Sequence, residues 1–250
     1  MWNYAPLALA GLLFVWVIGQ TFITGQLALS QAGYDKVQIP RVLESRYRIT
    51  DPAGNGVGEL SCSLTPQGAD IRLDCAGDAG AYDAPAGSGT IKYGRSTINW
   101  SATWSTESMG LLDFSYERTY AEAGSSLHAS LRDGRLLVGN SSGTQEIAVA
   151  PGDLVEYEWA WRVNALKPQV IRSIQAPFAH LMYWDEQSAK WQPALINEIL
   201  HLTTSELLDL PAGHFQTHAA SVGGQSAWYA SEHAGPVRFD DGMLIYELEK

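Results

Sequence analysis

The chain contains two patterns that suggest chemistry, a short serine motif and a pair of closely spaced histidines. Gly139-Asn-Ser-Ser-Gly143 matches the G-x-S-x-G pattern of hydrolases, in which a serine nucleophile occupies a sharp turn from a strand into a helix. Here a second strand pattern follows the motif, and its five residues are ordinary turn residues. We therefore assign no nucleophile to Ser141, and the sequence predicts a protein that is not an enzyme.

The histidine pair is equally weak as a metal site. His214 and His218 lie four residues apart on a predicted strand, so their side chains share a face but stand about 13 Å apart. That separation is too large for one metal ion unless a bulge or another histidine contributes. The acidic turns at 51–56 and 240–242 lack the alternating oxygen ligands and closing glutamate of a calcium loop. The sequence therefore predicts no metal site and no cofactor.

The only two cysteines, Cys62 and Cys75, are predicted to face each other across a hairpin. Gly58–Thr65 and Ala69–Ala76 read as antiparallel strands joined by a turn at 66–68. In an extracytoplasmic chain the two thiols would oxidise, and closing a loop of this size stabilises a fold by about 3 kcal/mol. The alternative is a pair of buried free thiols. Neither cysteine belongs to a C-x-x-C pair, which argues against redox catalysis and zinc binding.

The elements that must position these residues are mostly strands. Nine Trp, eleven Tyr and 24 Gly accompany only 16 Lys and Arg, a composition typical of strands and turns. The net charge of −11 argues against a nucleic-acid partner, whose phosphates need a basic face. Alternation with a period of two predicts strands near 45–50, 58–65, 69–76, 90–93, 97–105, 110–120, 126–132, 135–139, 144–150, 169–175, 180–184, 191–203, 207–210, 214–221, 225–230, 237–240 and 243–249.

One helix interrupts the strands, near residues 153–166. Asp153 is a candidate N-cap, and Leu154, Tyr157, Trp161 and Leu166 fall near one face at helical spacing.

Motifs in the last fifty residues resemble a family of uncharacterised bacterial envelope proteins. The chain carries a P-A-G-x-F turn at Pro211–Phe215, a W-Y-A strand at 228–230 and a P-V-R strand at 236–238. Domains of that family are similar to the half-open antiparallel barrels of lipocalins and lipoprotein carriers, with a helix plugging the concave face. The resemblance therefore implies a mainly β fold, an antiparallel half-open barrel with one helix, and carries little about function.

Large aromatic side chains supply the candidate ligand site. A half-barrel crossed by a helix needs such side chains in its core, and apolar pockets favour barrel mouths. Arg238 stands between Val237 and Phe239, so it faces away from them and either pairs with Glu232 or Asp240 or meets the anionic end of a ligand. The candidate ligand-binding residues are Trp159, Trp161, Trp184, Trp228, Tyr229 and Arg238.

The N-terminus is an uncharged apolar run. Residues 5–23 are long enough to span a membrane, and the positive n-region of a secretory signal is missing, which favours an uncleaved anchor over a cleaved signal. Basic residues from Lys36 to Arg48 would hold that side in the cytoplasm by the charge rule. Scarce lysine, the cysteine pair and the aromatic strands favour the opposite placement. We expect an anchor or signal at 1–30, a linker at 31–44 and one β-rich extracytoplasmic domain at 45–250.

These features predict a non-enzymatic, membrane-tethered envelope protein that binds an apolar, lipid-like ligand or docks a protein partner. The alternative is an accessory subunit of a membrane complex, whose anchor packs through Ala8, Ala10 and Gly11. A hydrolase is the third hypothesis. We expect the protein to lie in the cell membrane with a single span, or in the periplasm if the N-terminal segment is a cleaved signal. An enclosed apolar cavity would favour ligand binding, whereas an exposed aromatic patch would favour docking.

Overall fold

Alternation of apolar and polar side chains builds most of the chain into antiparallel strands. The computed structural model describes residues 42–86, 89–121, 125–141, 143–165, 172–185, 190–203 and 206–250. The strands are β1 (Leu43–Thr50), β2 (Gly56–Gln67), β3 (Asp70–Ala79), β4 (Tyr82–Ala86), β5 (Gly89–Tyr93), β6 (Ser96–Ser105), β7 (Leu111–Tyr120), β8 (Ser125–Arg132), β9 (Arg135–Asn140), β10 (Gly143–Ala148), β11 (Leu154–Val155), β12 (Arg172–Asp185), β13 (Lys190–Leu202), β14 (Glu206–Leu210), β15 (Gly213–Val222), β16 (Gln225–Ala230), β17 (Arg238–Asp240) and β18 (Ile245–Leu248), and the helix is α1 (Trp159–Ala165).

Sixteen of these strands form one sheet, and β4 and β5 form a separate hairpin. The order is β10-β9-β8-β7-β6-β3-β2-β1-β18-β17-β16-β15-β13-β12-β11, with β14 also paired to β15. The first and last strands are neighbours, with Tyr47 opposite Leu248. At the ends of this order the sheet curls, because β10 lies beside β13. The curl gives the sheet an inner and an outer face.

The inner face carries the hydrophobic core. Along β7, Phe114 and Tyr116 are buried whereas Ser115 and Glu117 are exposed, and β1, β2, β3 and β6 alternate in the same way. The segment from β11 to α1 packs against this buried face. The predicted mainly β fold, with a large antiparallel sheet and one short helix, is thereby confirmed.

The helix is shorter than predicted, and its first turn differs. Leu154 and Val155 pair in parallel with Phe178 and Ala179 of β12, so this part of the expected helix at 153–166 is extended. Asp153 does not cap the helix, because the helix begins six residues later at Trp159; its carboxylate accepts a hydrogen bond from the Ala150 amide at 2.7 Å. The pairing with a distant strand outweighs the local helical spacing of the apolar residues. The end of the predicted helix beyond Ala165, Leu166 included, lies outside the described residues.

The strands predicted near 169–175 and 180–184 are one strand, β12. Pro177 lies between the two predicted segments, where a proline normally argues against a central strand. The strand tolerates it because β12 lies next to the end of the sheet, where only Phe178 and Ala179 pair on its second edge. A register shift between His180 and Tyr183 interrupts the ladder with β13.

The predicted anchor at 1–30 lies outside the described residues, as does the predicted linker up to residue 41. The structure begins at Val42, and β1 starts at Leu43, two residues before the predicted domain boundary. Within the described part of the chain, we find no helix with the length and apolar character needed to cross a membrane.

The predicted disulfide is confirmed. Cys62 and Cys75 are directly opposite each other in the β2–β3 ladder, and their sulfur atoms are bonded at 2.05 Å. Both residues are buried on the inner face. The bond therefore ties together two strands at the centre of the sheet.

Removing this bond tests its contribution to stability. We expect the double variant Cys62→Ala/Cys75→Ala to lose about 3 kcal/mol of unfolding free energy, because a closed loop of this length constrains the unfolded chain. The loop joins residues 13 apart in sequence. Urea denaturation of the oxidised protein and of the variant measures the difference. Wild-type protein under reductant should match the variant, and an unchanged midpoint in both samples would contradict the prediction.

Candidate functional site

A short segment from β11 to α1 fills the inner side of the curled sheet. Trp159 and Trp161 on α1 are buried, and both rings meet the Phe239 ring edge-on, at centroid distances of 6.2 and 5.8 Å. Trp161 also meets the rings of Tyr47 and Trp100, at 6.2 and 5.7 Å. The segment thereby links strands from both halves of the sheet.

Tyr157 makes the sharp bend between β11 and α1. Its φ of 72° lies in the left-handed region, which costs a bulky L residue about 1–3 kcal/mol. Its ring stacks on Tyr116 of β7 at a centroid distance of 4.4 Å and tilts against Trp100. This packing holds the strained backbone in place.

A buried ion pair fixes α1. Glu158 and Arg162 approach to 2.9 Å, and both are buried. The Glu158 carboxylate also accepts hydrogen bonds from Trp104 Nε1 and from the Val155 amide, each at 2.9 Å. Arg162 donates to the carbonyl oxygens of Pro151, at 3.0 Å, and of Asp153. Burial raises the pKa of Glu158, and the nearby guanidinium of Arg162 opposes that shift.

A second carboxyl group of this segment, that of the partly buried Glu156, faces β12 and β16. It accepts hydrogen bonds from the Leu181 amide at 2.7 Å and from Gln225 Nε2 at 2.9 Å. Gln225 Oε1 in turn accepts from Trp159 Nε1 at 2.6 Å. Burial raises the pKa of Glu156 to about 7, and the hydrogen bond from the Leu181 amide opposes the shift. This carboxyl group therefore titrates close to neutral pH.

A pocket of about 260 Å³ opens beside α1, at the end of the sheet where β1 begins. We call it the mouth pocket. Its walls combine inner-face residues of β1, β2 and β3 with α1 and with the loop that follows β16. Apolar side chains supply most of the wall, since the lining residues include Leu43, Leu64, Leu73 and Trp161.

The rim of the mouth pocket is polar. Ser45 Oγ lies 3.5 Å from His233 Nε2, and His233 Nδ1 lies 3.1 Å from the Gly235 carbonyl oxygen. Glu44 and Glu232 also line the opening. A Cβ atom on Gly235 would come within 3.0 Å of Trp161 Nε1, so this loop packs closely over the indole. An apolar pocket with a few polar groups at its entrance suits a ligand with one apolar end.

A larger concavity, of about 1190 Å³, crosses β1, β2, β3, β6, β7 and β8. Most of its exposed or partly exposed side chains are polar, and Ser101 Oγ and Ser115 Oγ are 2.8 Å apart within it. Trp100 and Tyr116 also border it, but their rings are buried on the inner face. The concavity therefore offers hydrogen-bonding groups along the outer face of these strands.

Arg118 of β7 is a buried polar residue that the sequence analysis missed. Its Nη2 donates to the Tyr82 hydroxyl at 2.9 Å, its Nε donates to Ser96 Oγ at 3.3 Å, and its guanidinium stands 5.1 Å from the centre of the Tyr120 ring. Burial raises the pKa of Asp241, and Arg118 opposes that shift. The alternation that makes Phe114 and Tyr116 inward also makes Arg118 inward, so the signal was present in the strand pattern.

The structure separates the predicted ligand-binding residues. Trp161 lines the mouth pocket, whereas Trp159 is enclosed in the core. Trp184 lies in β12, and its side chain is outside the described residues. The residues that join Trp161 at the pocket, Leu43, Leu64, Leu73 and His233, were not predicted. The three leucines could have been found from the alternation that turns them to the inner face of β1, β2 and β3. His233 has no such pattern, because it lies in a loop that only the fold brings near.

The remaining predicted residues lie around β16. Tyr229 is buried, and Trp228 is partly buried on the outer face. The guanidinium of Arg238 stands 5.0 Å from the centre of the Trp228 ring, and Trp228 Nε1 donates to Glu206. In the described residues Arg238 forms no ion pair with Glu232 or Asp240, the two partners that the sequence suggested.

The serine and histidine patterns fall on the surface. Ser141 is exposed in the turn between β9 and β10, and β10 follows it as a strand. His214 and His218 are exposed on β15, and His214 lies 3.1 Å from Asp209 Oδ1. Across the parts of the chain that the structure describes, no three His, Cys, Asp or Glu side chains form a group suited to a metal ion.

Comparison with known proteins adds a distant structural likeness. The chain matches no protein-family model and no curated protein. One similar solved structure is the crystal structure of a β-barrel-like protein from Brucella abortus, of a domain of unknown function named DUF1849. The TM-score is 0.40 and the sequence identity 7%, over 82% of this chain and 94% of that chain. A likeness at this level assigns no function.

The raised pKa of Glu156 predicts a pH dependence of stability. In the folded protein the Glu156 carboxyl group keeps its proton up to a pH of about 7, whereas in the unfolded chain it loses the proton near pH 4.5. Between these values the folded state binds more protons, so the free energy of unfolding falls by about 3 kcal/mol as pH rises. We expect Glu156→Gln to remove this part of the dependence, measured by urea denaturation from pH 4.5 to 8.

The matched control is Glu146→Gln, because Glu146 is an exposed glutamate on β10. This variant should retain the wild-type slope of stability against pH. If Glu156→Gln and wild type gave parallel curves, the raised pKa of Glu156 would be refuted.

Proposed function

We propose that this chain is a non-enzymatic, membrane-tethered envelope protein that binds an apolar, lipid-like ligand at the mouth pocket. The observation that carries the proposal is the pocket itself, with walls of Leu43, Leu64, Leu73 and Trp161. Burying an apolar ligand against such walls contributes about 25 cal/mol for each Å² removed from water. Trp161 belongs to both the predicted ligand site and this pocket.

The size of the pocket restricts the ligand. At about 260 Å³ it lies just below the range of roughly 300–1,000 Å³ that is usual for drug-sized ligands. A small apolar molecule or the end of one acyl chain fits this volume better than a whole lipid. The polar rim of Ser45, His233, Glu44 and Glu232 suits a hydrogen-bonding group at the entrance.

The position of the pocket supports a membrane source for the ligand. The pocket opens beside Leu43, one residue after the described chain begins. The apolar run at residues 5–23, which we propose as the anchor, therefore joins the domain at the same end as the pocket. A chain tethered in this way keeps the mouth pocket within linker reach of lipid.

The non-enzymatic part of the proposal rests on the motifs. The G-x-S-x-G sequence occupies a hairpin turn rather than a strand-to-helix elbow. The carboxyl groups of the partly buried Glu156 and the buried Glu158 have hydrogen-bond partners within the fold, which suits a structural role.

Photo-crosslinking tests ligand binding at the pocket. The probe is a diazirine-labelled palmitic acid, added to membranes that contain the full chain and then activated by light. We expect crosslinked peptides that cover 43–45, 64–73, 161 and 232–235. Ser45→Phe should lower this labelling about tenfold, because the new ring occupies the pocket and removes apolar contact with the ligand. Peptide mass spectrometry measures the labelling.

The matched control is Ser63→Phe, the same substitution on the outer face of the neighbouring strand. It should label like wild type. Labelling confined to residues 5–23, or equal labelling of both variants at the pocket peptides, would refute ligand binding there. The protein would then keep its proposed tether but lose its proposed ligand.

A further inference from the structure

The hairpin of β12 and β13 turns large apolar side chains toward solvent. On β13, Trp191, Leu195 and Ile199 are 54, 39 and 46% exposed, and they occur every fourth residue, so they share one face. We call these three residues the β13 stripe. It extends about 27 Å along the strand, since each residue advances about 3.4 Å. On β12, Met182 and Tyr183 are also exposed, but Tyr183 is paired with Gln192 and therefore lies on the other face of the hairpin.

Within β12 and β13, the described side chains on the face of the stripe include no acidic group. On β13 the positions between the stripe residues on the same face are Pro193 and Asn197. The β12 residues paired with this part of β13, and therefore on the same face, are Ser173, Gln175, Pro177 and Ala179. Lys190 and His201 stand next to its two ends. In a chain of net charge −11, a neutral apolar strip of this length is unusual and marks an interaction surface.

The composition of the stripe fits a lipid surface. Trp191 is near the hairpin tip, and such a ring favours the boundary between lipid headgroups and acyl chains. Leu195 and Ile199 continue the apolar surface away from the tip. An elongated apolar face without acidic groups can lie in this boundary. Because the whole chain is acidic, the fitting bilayer is zwitterionic rather than anionic.

The length of chain before the structure allows this contact. Residues 24–41 link the proposed anchor to the first described residue, and their extended reach is about 60 Å. A domain of this size has a radius of gyration of about 17 Å. The linker therefore lets any face of the domain reach the bilayer, and the exposed apolar side chains decide which one does.

We propose that the β13 stripe docks the domain onto the surface of a zwitterionic bilayer. This inference uses the proposed tether but not the proposed ligand. Docking would bury the three side chains of the stripe in the interface and would hold the domain in one orientation. The domain would then stay on the membrane surface instead of moving freely on its linker.

A single labelled cysteine tests the docking. The described chain has no free cysteine, so Leu195→Cys provides a unique site for an environment-sensitive fluorophore. The full chain is reconstituted in phosphatidylcholine vesicles, with and without doxyl-labelled phosphatidylcholine as a quencher. We expect a blue-shifted emission that doxyl lipid quenches. Adding Ile199→Asp should lower the docked-to-free ratio about tenfold, because it removes an apolar contact.

The control site is Leu112→Cys, a leucine of β7 that is 51% exposed away from the stripe. Its fluorophore should keep a water-like emission and resist quenching. Equal quenching at positions 112 and 195 would overturn the proposal, as would a water-like emission at 195. The second result would assign the stripe to a protein partner.

Two further readouts separate this proposal from the others. In the second format, the labelled full chain is added to preformed phosphatidylcholine vesicles without reconstitution. The vesicles are separated by flotation, and the fluorophore emission at position 195 is then recorded. If the emission at position 195 does not shift to the blue in either the reconstituted or the mixed sample, the docking proposal is overturned. Fatty-acid labelling of the pocket peptides is independent of the stripe, so its failure would count against the ligand and leave the bilayer contact in place.

Discussion

The buried ion pair between Glu158 and Arg162 is the interaction on which the rest of the interior depends. Removing two charged groups from water is unfavourable, and deleting one partner of a buried pair typically lowers the free energy of unfolding by about 3–5 kcal/mol. Here Trp104 and the Val155 amide donate hydrogen bonds to Glu158, and the carbonyl groups of Pro151 and Asp153 accept from Arg162. Together they hold α1 in one orientation inside the sheet, with Trp159 and Trp161 packed on both halves.

This plug explains why the interior is mostly core and the candidate site is small. A curled sheet without a central segment would enclose a large cavity, but α1 and the bend at Tyr157 occupy that space. An apolar cavity remains at the mouth pocket, where Trp161 belongs to the core and also forms part of the pocket wall. The strain at Tyr157 persists because the rings of Tyr116 and Trp100 hold it.

The strand pattern was predictable because alternation with a period of two depends only on neighbouring residues. It placed the hairpin of Cys62 and Cys75 correctly, and with it the disulfide. Two predictions failed where distant contacts outweigh local signals. Leu154 pairs with β12 instead of starting a helix, and Pro177 lies within a continuous strand because most of that edge is unpaired. Both outcomes depend on how β12 is placed in the sheet, which the local sequence around Leu154 and Pro177 does not record.

The sequence by itself determined the β-rich class, the position of most strands, the disulfide and the acidic charge, since composition and short-range periodicity carry these properties. Only the tertiary structure decided which aromatic residue borders a pocket and which is plain core. Trp159 and Trp161 are equivalent in type and two residues apart, yet they differ because the loop at His233 covers only one of them. Ser45 and His233 are 188 residues apart in sequence, and their contact arises from the pairing of the first and last strands. No local pattern records such a contact, because packing selects it after the sheet has formed.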